Sequence, residues 1–144
     1  MKNLTTRLMI AAATLAAAAV SASAQTYTAD VPMTFSAGGK LLAAGAYDFV
    51  VSHNSDGHRT VVIRNHNTPK TAAMLVSVPG SDAPKAWRAE GLPRLTFNCL
   101  GHACSLNSLY NGRDVSAYQF PQRKASPADA ERIASVTVAL VRSE

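Results

Sequence analysis

Two short stretches of this 144-residue chain concentrate side chains able to do chemistry. In the first, His53 and His58 flank Asn54-Ser55-Asp56-Gly57. A four-residue hairpin loop there would turn the two imidazoles toward each other with Asp56 at the tip, a partial ligand set for zinc or copper. That arrangement depends on register, because a slip of one residue sends the two histidines to opposite faces. The plainer reading is an exposed turn that carries polar side chains. In the second stretch, Cys99 and Cys104 bracket Leu100-Gly101-His102-Ala103. With those residues as a hairpin loop the cysteines stand directly opposed, their Cα atoms about 4.5 to 5.5 Å apart, within reach of a disulfide. A zinc site built from Cys99, His102 and Cys104 would lack the fourth ligand that a closed structural site takes. A thioredoxin-like pair would need C-x-x-C beside a helix. The expectation is a structural disulfide.

Hydrolytic chemistry finds no purchase. The chain has no G-x-S-x-G elbow, no H-E-x-x-H and no glycine-rich loop between a strand and a helix. Ser52 and His53 are neighbours on one strand, so their side chains point to opposite faces and cannot work as nucleophile and base together. Asp129 and Glu131 fit the first turn of a short helix. No constellation meets the requirements of an active site, so the chain reads as a protein without enzymatic activity and without a cofactor.

The segments that carry these residues begin with an address. Lys2 and Arg7 precede the uncharged run from Leu8 to Val20, and Ser21-Ala22-Ser23-Ala24 closes it. A basic start, a short apolar run and an A-x-A ending make a secretory signal peptide over residues 1–24, cut after Ala24. The 13 residues from Leu8 to Val20 are too few to span a bilayer, which takes roughly 20. The remainder, residues 25–144, reads as one domain exported to the periplasm or beyond the cell, where a disulfide persists. Losing Lys2 and Arg7 leaves 12 basic against 9 acidic residues, a net charge of +3. The basic residues are scattered rather than gathered on a stripe, which argues against nucleic acid as a partner. No other run is apolar enough to be a transmembrane segment.

From Gln25 onward the pattern is short strands and turn residues. In Ala46 to His53 the residues Tyr47, Phe49 and Val51 alternate with Asp48, Val50 and Ser52, the period of a strand with one apolar face. Asp56-Gly57 signals a turn, and Arg59 to Arg64 returns as the partner strand. Further strands are expected at Tyr27–Val31, Ala72–Val78, either side of the cysteine loop, Val115–Phe120 and Ser135–Arg142. Ser126-Pro127 followed by Asp129 and Glu131 opens a short helix near the C-terminus. The sum is an all-β domain, an antiparallel small barrel or sandwich of about eight strands with one short helix near its C-terminus. The last strand should lie inside a sheet or against the first, since an apolar free edge invites aggregation.

The opening stretch Ala29-Asp30-Val31-Pro32-Met33-Thr34-Phe35, then Gly38-Gly39-Lys40-Leu41-Leu42-Ala43-Ala44-Gly45-Ala46-Tyr47, resembles a group of small exported bacterial β-barrel or sandwich proteins of unassigned function. Their opening reads A-x-I-P-F-x-F-x-x-G-x-x-L-P-A-G-x-Y. This chain departs from it at Met33, where Phe is usual, and at Ala43, where Pro is usual. The resemblance implies a secreted β-domain and no catalytic residues. On the residues themselves, Gly45 is expected to supply a turn and Tyr47 to start a core strand.

Two functions from different classes fit this reading. One is a structural or interaction module of the cell envelope, with an envelope protein as partner. The other is a lipocalin-like carrier of a small apolar ligand, lined by Tyr47, Phe49, Trp87 and Phe97, since barrels of about eight strands can enclose one small molecule. The aromatics serve equally as ordinary core, because a domain this small needs its large apolar side chains to fill the interior.

Overall fold

The computed structural model describes residues 24–54, 58–68, 70–78 and 80–143. All but the last residue of the expected signal peptide, and Asp56 of the expected histidine site, lie outside the described residues. Among the described residues eleven strands and two short helices follow in the order β1 (Gln25–Val31), β2 (Phe35–Ala37), β3 (Lys40–Leu42), β4 (Gly45–His53), β5 (Arg59–Asn65), β6 (Thr71–Val76), α1 (Lys85–Glu90), β7 (Arg94–Leu100), β8 (Ala103–Tyr110), β9 (Tyr118–Gln119), α2 (Pro127–Ala130), β10 (Ala134–Ala139) and β11 (Val141–Ser143). They form two sheets packed face to face. One has the order β11-β1-β4-β5-β6, the other β10-β7-β8-β2-β3 with β9 on the flank of β8. The fold is all-β and sandwich-like.

The alternation read in the sequence is what the sheets use. Tyr47, Phe49 and Val51 of β4 point inward, opposite Val61 and Ile63 of β5. From the second sheet Leu95 and Phe97 meet them. Phe35 stands edge-on to both Tyr47 and Phe97, with ring centroids 5.5 and 5.3 Å away. Edge-to-face contacts of this kind add to the free energy of burial. Pro32 ends β1 because it has no N–H for the ladder. The chain then crosses to the other sheet, where Phe35 begins β2.

Several local expectations change. The sheets are antiparallel except for β2 and β8, which pair in parallel through Phe35–Cys104 and Ser36–Ser105. Gly45 supplies no turn, for it is the first residue of β4 and pairs with Val31. The turn glycines are Gly38 and Gly39 (φ 58° and 77°), which join Ala37 to Lys40 as a two-residue hairpin. Positive φ at both central positions is the type I′ geometry that matches strand twist. A second helix, α1, holds Trp87, and Gly91 closes it in the left-handed conformation. The helix expected at Ser126 is present, with the Asp129 N–H donating to Ser126 Oγ at 3.2 Å. Between Tyr110 and Tyr118 the Asn111-Gly112 turn is held by the Asn111 side chain, whose Oδ1 accepts from the N–H groups of Arg113 and Asp114.

The C-terminal strand is two strands. β10 pairs with β7 in one sheet, buried Leu140 turns the corner with its N–H on Pro93 O, and β11 pairs with β1 in the other sheet. One open side of the sandwich is thereby bridged covalently by the chain. On the opposite side Val78, just beyond β6, donates its N–H to Gln119 O of β9 at 2.9 Å. The molecule thus stands between a sandwich and a closed barrel.

Candidate functional site

The hairpin register decides the fate of the histidine pair. His53 stands opposite Arg59, and the Asn54 N–H donates to the His58 carbonyl at 2.9 Å. The pairing is one residue out from the His53–His58 opposition expected, so the two imidazoles leave opposite faces of the hairpin. They do not converge on a common ion. Among the described residues no three His, Cys, Asp or Glu side chains cluster as a metal centre would require.

Cys99 and Cys104 do meet, as a cross-strand disulfide with Cα atoms 4.0 Å apart. The loop between them is shorter than expected, because Leu100 and Ala103 still pair and only Gly101 and His102 form the turn. Gly101 has φ 62° and no non-glycine residue among those described has positive φ, the sign pattern of a type II′ turn. His102 sits exposed at that turn, while both cysteines are buried against the main core.

The four aromatics proposed to line a ligand cavity belong to two places. Tyr47, Phe49 and Phe97 are part of the main core, with Phe49 and Phe97 wholly buried. Trp87 packs instead on a separate cluster of Ala83, Tyr110 and Ala117. Tyr110 follows Leu109 in β8 and so points away from the interior that Leu109 fills. Trp87 is pinned there by Arg94, whose guanidinium carbon lies 5.1 Å from the indole centroid and whose Nη2 also bonds the Glu90 carboxylate. These four rings therefore do not line one cavity.

Concavity occurs where β1 begins. A groove of about 820 Å³ is lined by Gln25, Thr26, Asp48, His66, Arg113, Arg142 and Ser143, together with Ala24, which the expected signal cleavage would remove. Its floor comes from adjacent strands: Thr26 pairs with Ser143 and Tyr27 with Arg142. Asp48 Oδ1 lies 2.8 Å from His66 Nδ1 and accepts the Thr28 hydroxyl at 2.8 Å. The His66 N–H is fixed on Ala46 O at 3.0 Å. Deeper in, the Tyr27 hydroxyl donates to Gln25 Oε1 at 2.7 Å. Burial pushes that hydroxyl's pKa upward, and the nearby charges of Arg142 and Arg113 oppose the shift. Sequence reasoning passed over this group, for its members lie far apart in the chain and only the strand order assembles them.

A second surface feature is apolar. Met74, Val76 and Val78 follow one another at every second position along β6 and its extension, and all three side chains are exposed. Half-buried Val62 and Val50 continue the row, Met74 pairing with Val62 and Val62 with Val50. The outer face of this sheet is thus apolar toward β6 and polar toward β1. No family model, no curated protein and no solved structure matches this chain.

Proposed function

We propose that this protein is an exported envelope domain without enzymatic activity that works as a structural or interaction module, presenting the outer face of β4, β5 and β6 to a protein partner. The observation that carries the reading is the stripe of Met74, Val76 and Val78 held in water by a strand whose other face is anchored in the core. Isolated exposed apolar residues are ordinary, but a contiguous row marks a contact surface. The disulfide is compatible with export, and no helix among the described residues is long and apolar enough to cross a membrane. The carrier reading is less well supported, because Phe35, Tyr47 and Phe97 pack on one another where a ligand would sit.

A photo-reactive residue placed at Met74 in the exporting cell tests this. Cross-linking to a protein from position 74, and none from exposed Ser135 on β10 at the opposite edge of the other sheet, is the expected result. Native mass spectrometry of the exported protein supplies the opposing outcome. A small apolar adduct lost on denaturation, with no cross-link from position 74, would replace the module by the carrier.

A further inference from the structure

We propose that the groove at the start of β1 is an oxyanion site, taking a carboxylate- or phosphate-bearing polar molecule between Arg113 and Arg142. The site lies toward β1, away from the apolar stripe, and stands independently of it.

The inference starts from charge pairing. Arg113 and Arg142 line the groove, Arg59 pairs with the acid that follows Arg113, and Arg64 lies across the ladder from Asp48. The two acids there already have partners. His66 is held by Asp48 at 2.8 Å, and Arg59 lies 3.6 Å from Asp114. Both acids are engaged elsewhere as well, Asp48 by the Thr28 hydroxyl and Asp114 by Asn111 Nδ2 and the Tyr118 hydroxyl. They are not available to Arg113 and Arg142, and neither of those guanidiniums has an acid or hydrogen-bond partner among the described residues. Among the described residues the two guanidiniums are thus a surplus of positive charge with no acid set against it.

Two features turn that surplus into a site. Arg142 is fixed in position by strand pairing, since it lies opposite Tyr27 in the β1–β11 ladder. Arg113 is fixed by the Asn111 turn, where its own N–H is bonded to the Asn111 side chain at 2.9 Å. Guanidinium groups offer planar forks of N–H donors matched to carboxylate and phosphate oxygens. The rest of the lining, Gln25, Thr26 and Ser143, supplies neutral amide and hydroxyl groups that suit a polar rather than an apolar molecule. A concave surface also focuses the field of the two charges on its occupant.

The test uses isotope-labelled protein purified after export, titrated with inorganic phosphate and, separately, with phosphatidylcholine vesicles containing phosphatidylglycerol. Saturable shifts of the Arg113 and Arg142 signals are expected, and the double variant R113Q/R142Q should bind about tenfold more weakly or not at all. R142K, which keeps the charge and loses the fork, should retain part of the affinity. K40Q, which removes an exposed charge on β3 at the edge of the other sheet, should bind as the parent does. A response to phosphate alone would identify a free anion as the ligand, and one seen with vesicles alone and lost in the double variant would identify a lipid headgroup. No saturable response to either probe would overturn the proposal, as would equal binding by R113Q/R142Q or equal weakening by K40Q. Both arginines are exposed, so the double variant should melt as the parent does, and the melt is recorded to show that it folds.

Discussion

Arg59, on β5 of one sheet, lays its guanidinium carbon 4.3 Å from the ring centroid of Tyr118, on β9 of the other. The contact sits where the sandwich closes. Ser77, between β6 and Val78, donates its N–H to Arg59 O, and Val78 donates to Gln119 O, next to Tyr118. The Tyr118 hydroxyl in turn bonds the Asp114 carboxylate at 3.1 Å and receives Asn111 Nδ2 at 3.0 Å. Cation–π contact, ion pair and hydrogen bonds thus tie two sheets that share few backbone bonds.

This clamp makes stability sensitive to alkali. Burial, more than any other cause, pushes the Tyr118 pKa up from 10.0 to about 12, Arg59 opposing and Asp114 adding to it. A phenol that ionises later in the folded chain than in the unfolded one contributes stability that is whole below pH 10. That contribution is lost as pH rises through 10 toward 12. The urea midpoint should therefore fall over that window, and fall less steeply in Tyr118→Phe. Equal slopes for the two proteins would show that the phenol is not responsible.

Gly38 and Gly39 form one turn and should differ on substitution. Both have positive φ, so alanine at either strains the backbone. A Cβ on Gly38 would also stand 2.7 Å from the Met74 carbonyl oxygen, whereas one on Gly39 meets nothing within 4 Å. Gly39→Ala should cost about 1 kcal/mol, and Gly38→Ala at least about 1 kcal/mol more, because the β2–β3 turn must then move off β6. Chemical denaturation of the two variants decides it. Equal losses would mean that the turn does not press on β6.

Removing the disulfide should weaken the protein without unfolding it. The bridge spans a sequence separation of 5, and closing so small a loop stabilises by about 2 kcal/mol on the chain-entropy account. The same hairpin is held by the Gly101 turn and seven paired residues on each strand. The double variant Cys99→Ser/Cys104→Ser should keep its far-ultraviolet spectrum and melt several degrees lower. A random-coil spectrum would assign the disulfide a larger role than its place in one hairpin implies.

Truncating Phe35 and truncating Trp87 should separate the two apolar clusters. Phe35 touches both sheets through Tyr47 and Phe97 and is wholly buried, so Phe35→Ala should cost about 3–5 kcal/mol. Trp87 is half-buried and packs on Tyr110 outside that core. Trp87→Ala should cost clearly less and release α1 locally, which hydrogen exchange at residues 85–90 would register. A comparable loss of global stability would place Trp87 in one cooperative core with Phe35.

What was legible in the chain follows from periodicity. Tyr47, Phe49 and Val51 announced an inward face because side chains alternate along a strand, and that holds whatever sheet receives it. Ser126 announced α2 because capping is a matter of four adjacent residues. Register was harder to read. His53 came to lie opposite Arg59 rather than His58, a slip of one residue, whereas Cys99 kept its expected place opposite Cys104 and only the loop between them shortened to Gly101 and His102. The strand β8 also bulges at Asn107, where Thr96 pairs with Ser108 but Phe97 with Leu106. Alternation read along the sequence cannot anticipate such a break.

By itself, then, the sequence determined the all-β class, the inward faces of its long strands and the partnership of its two cysteines, all properties of residues near one another along the chain. The tertiary structure alone decided that Leu140 would carry the last strand from one sheet to the other. It also decided that Trp87 would leave the core, and that Arg142, Arg113 and the Asp48–His66 pair would share a groove with Gln25. Those outcomes depend on which strands become neighbours, and strand order is settled by the packing of whole faces against each other, to which no short stretch of residues is sensitive.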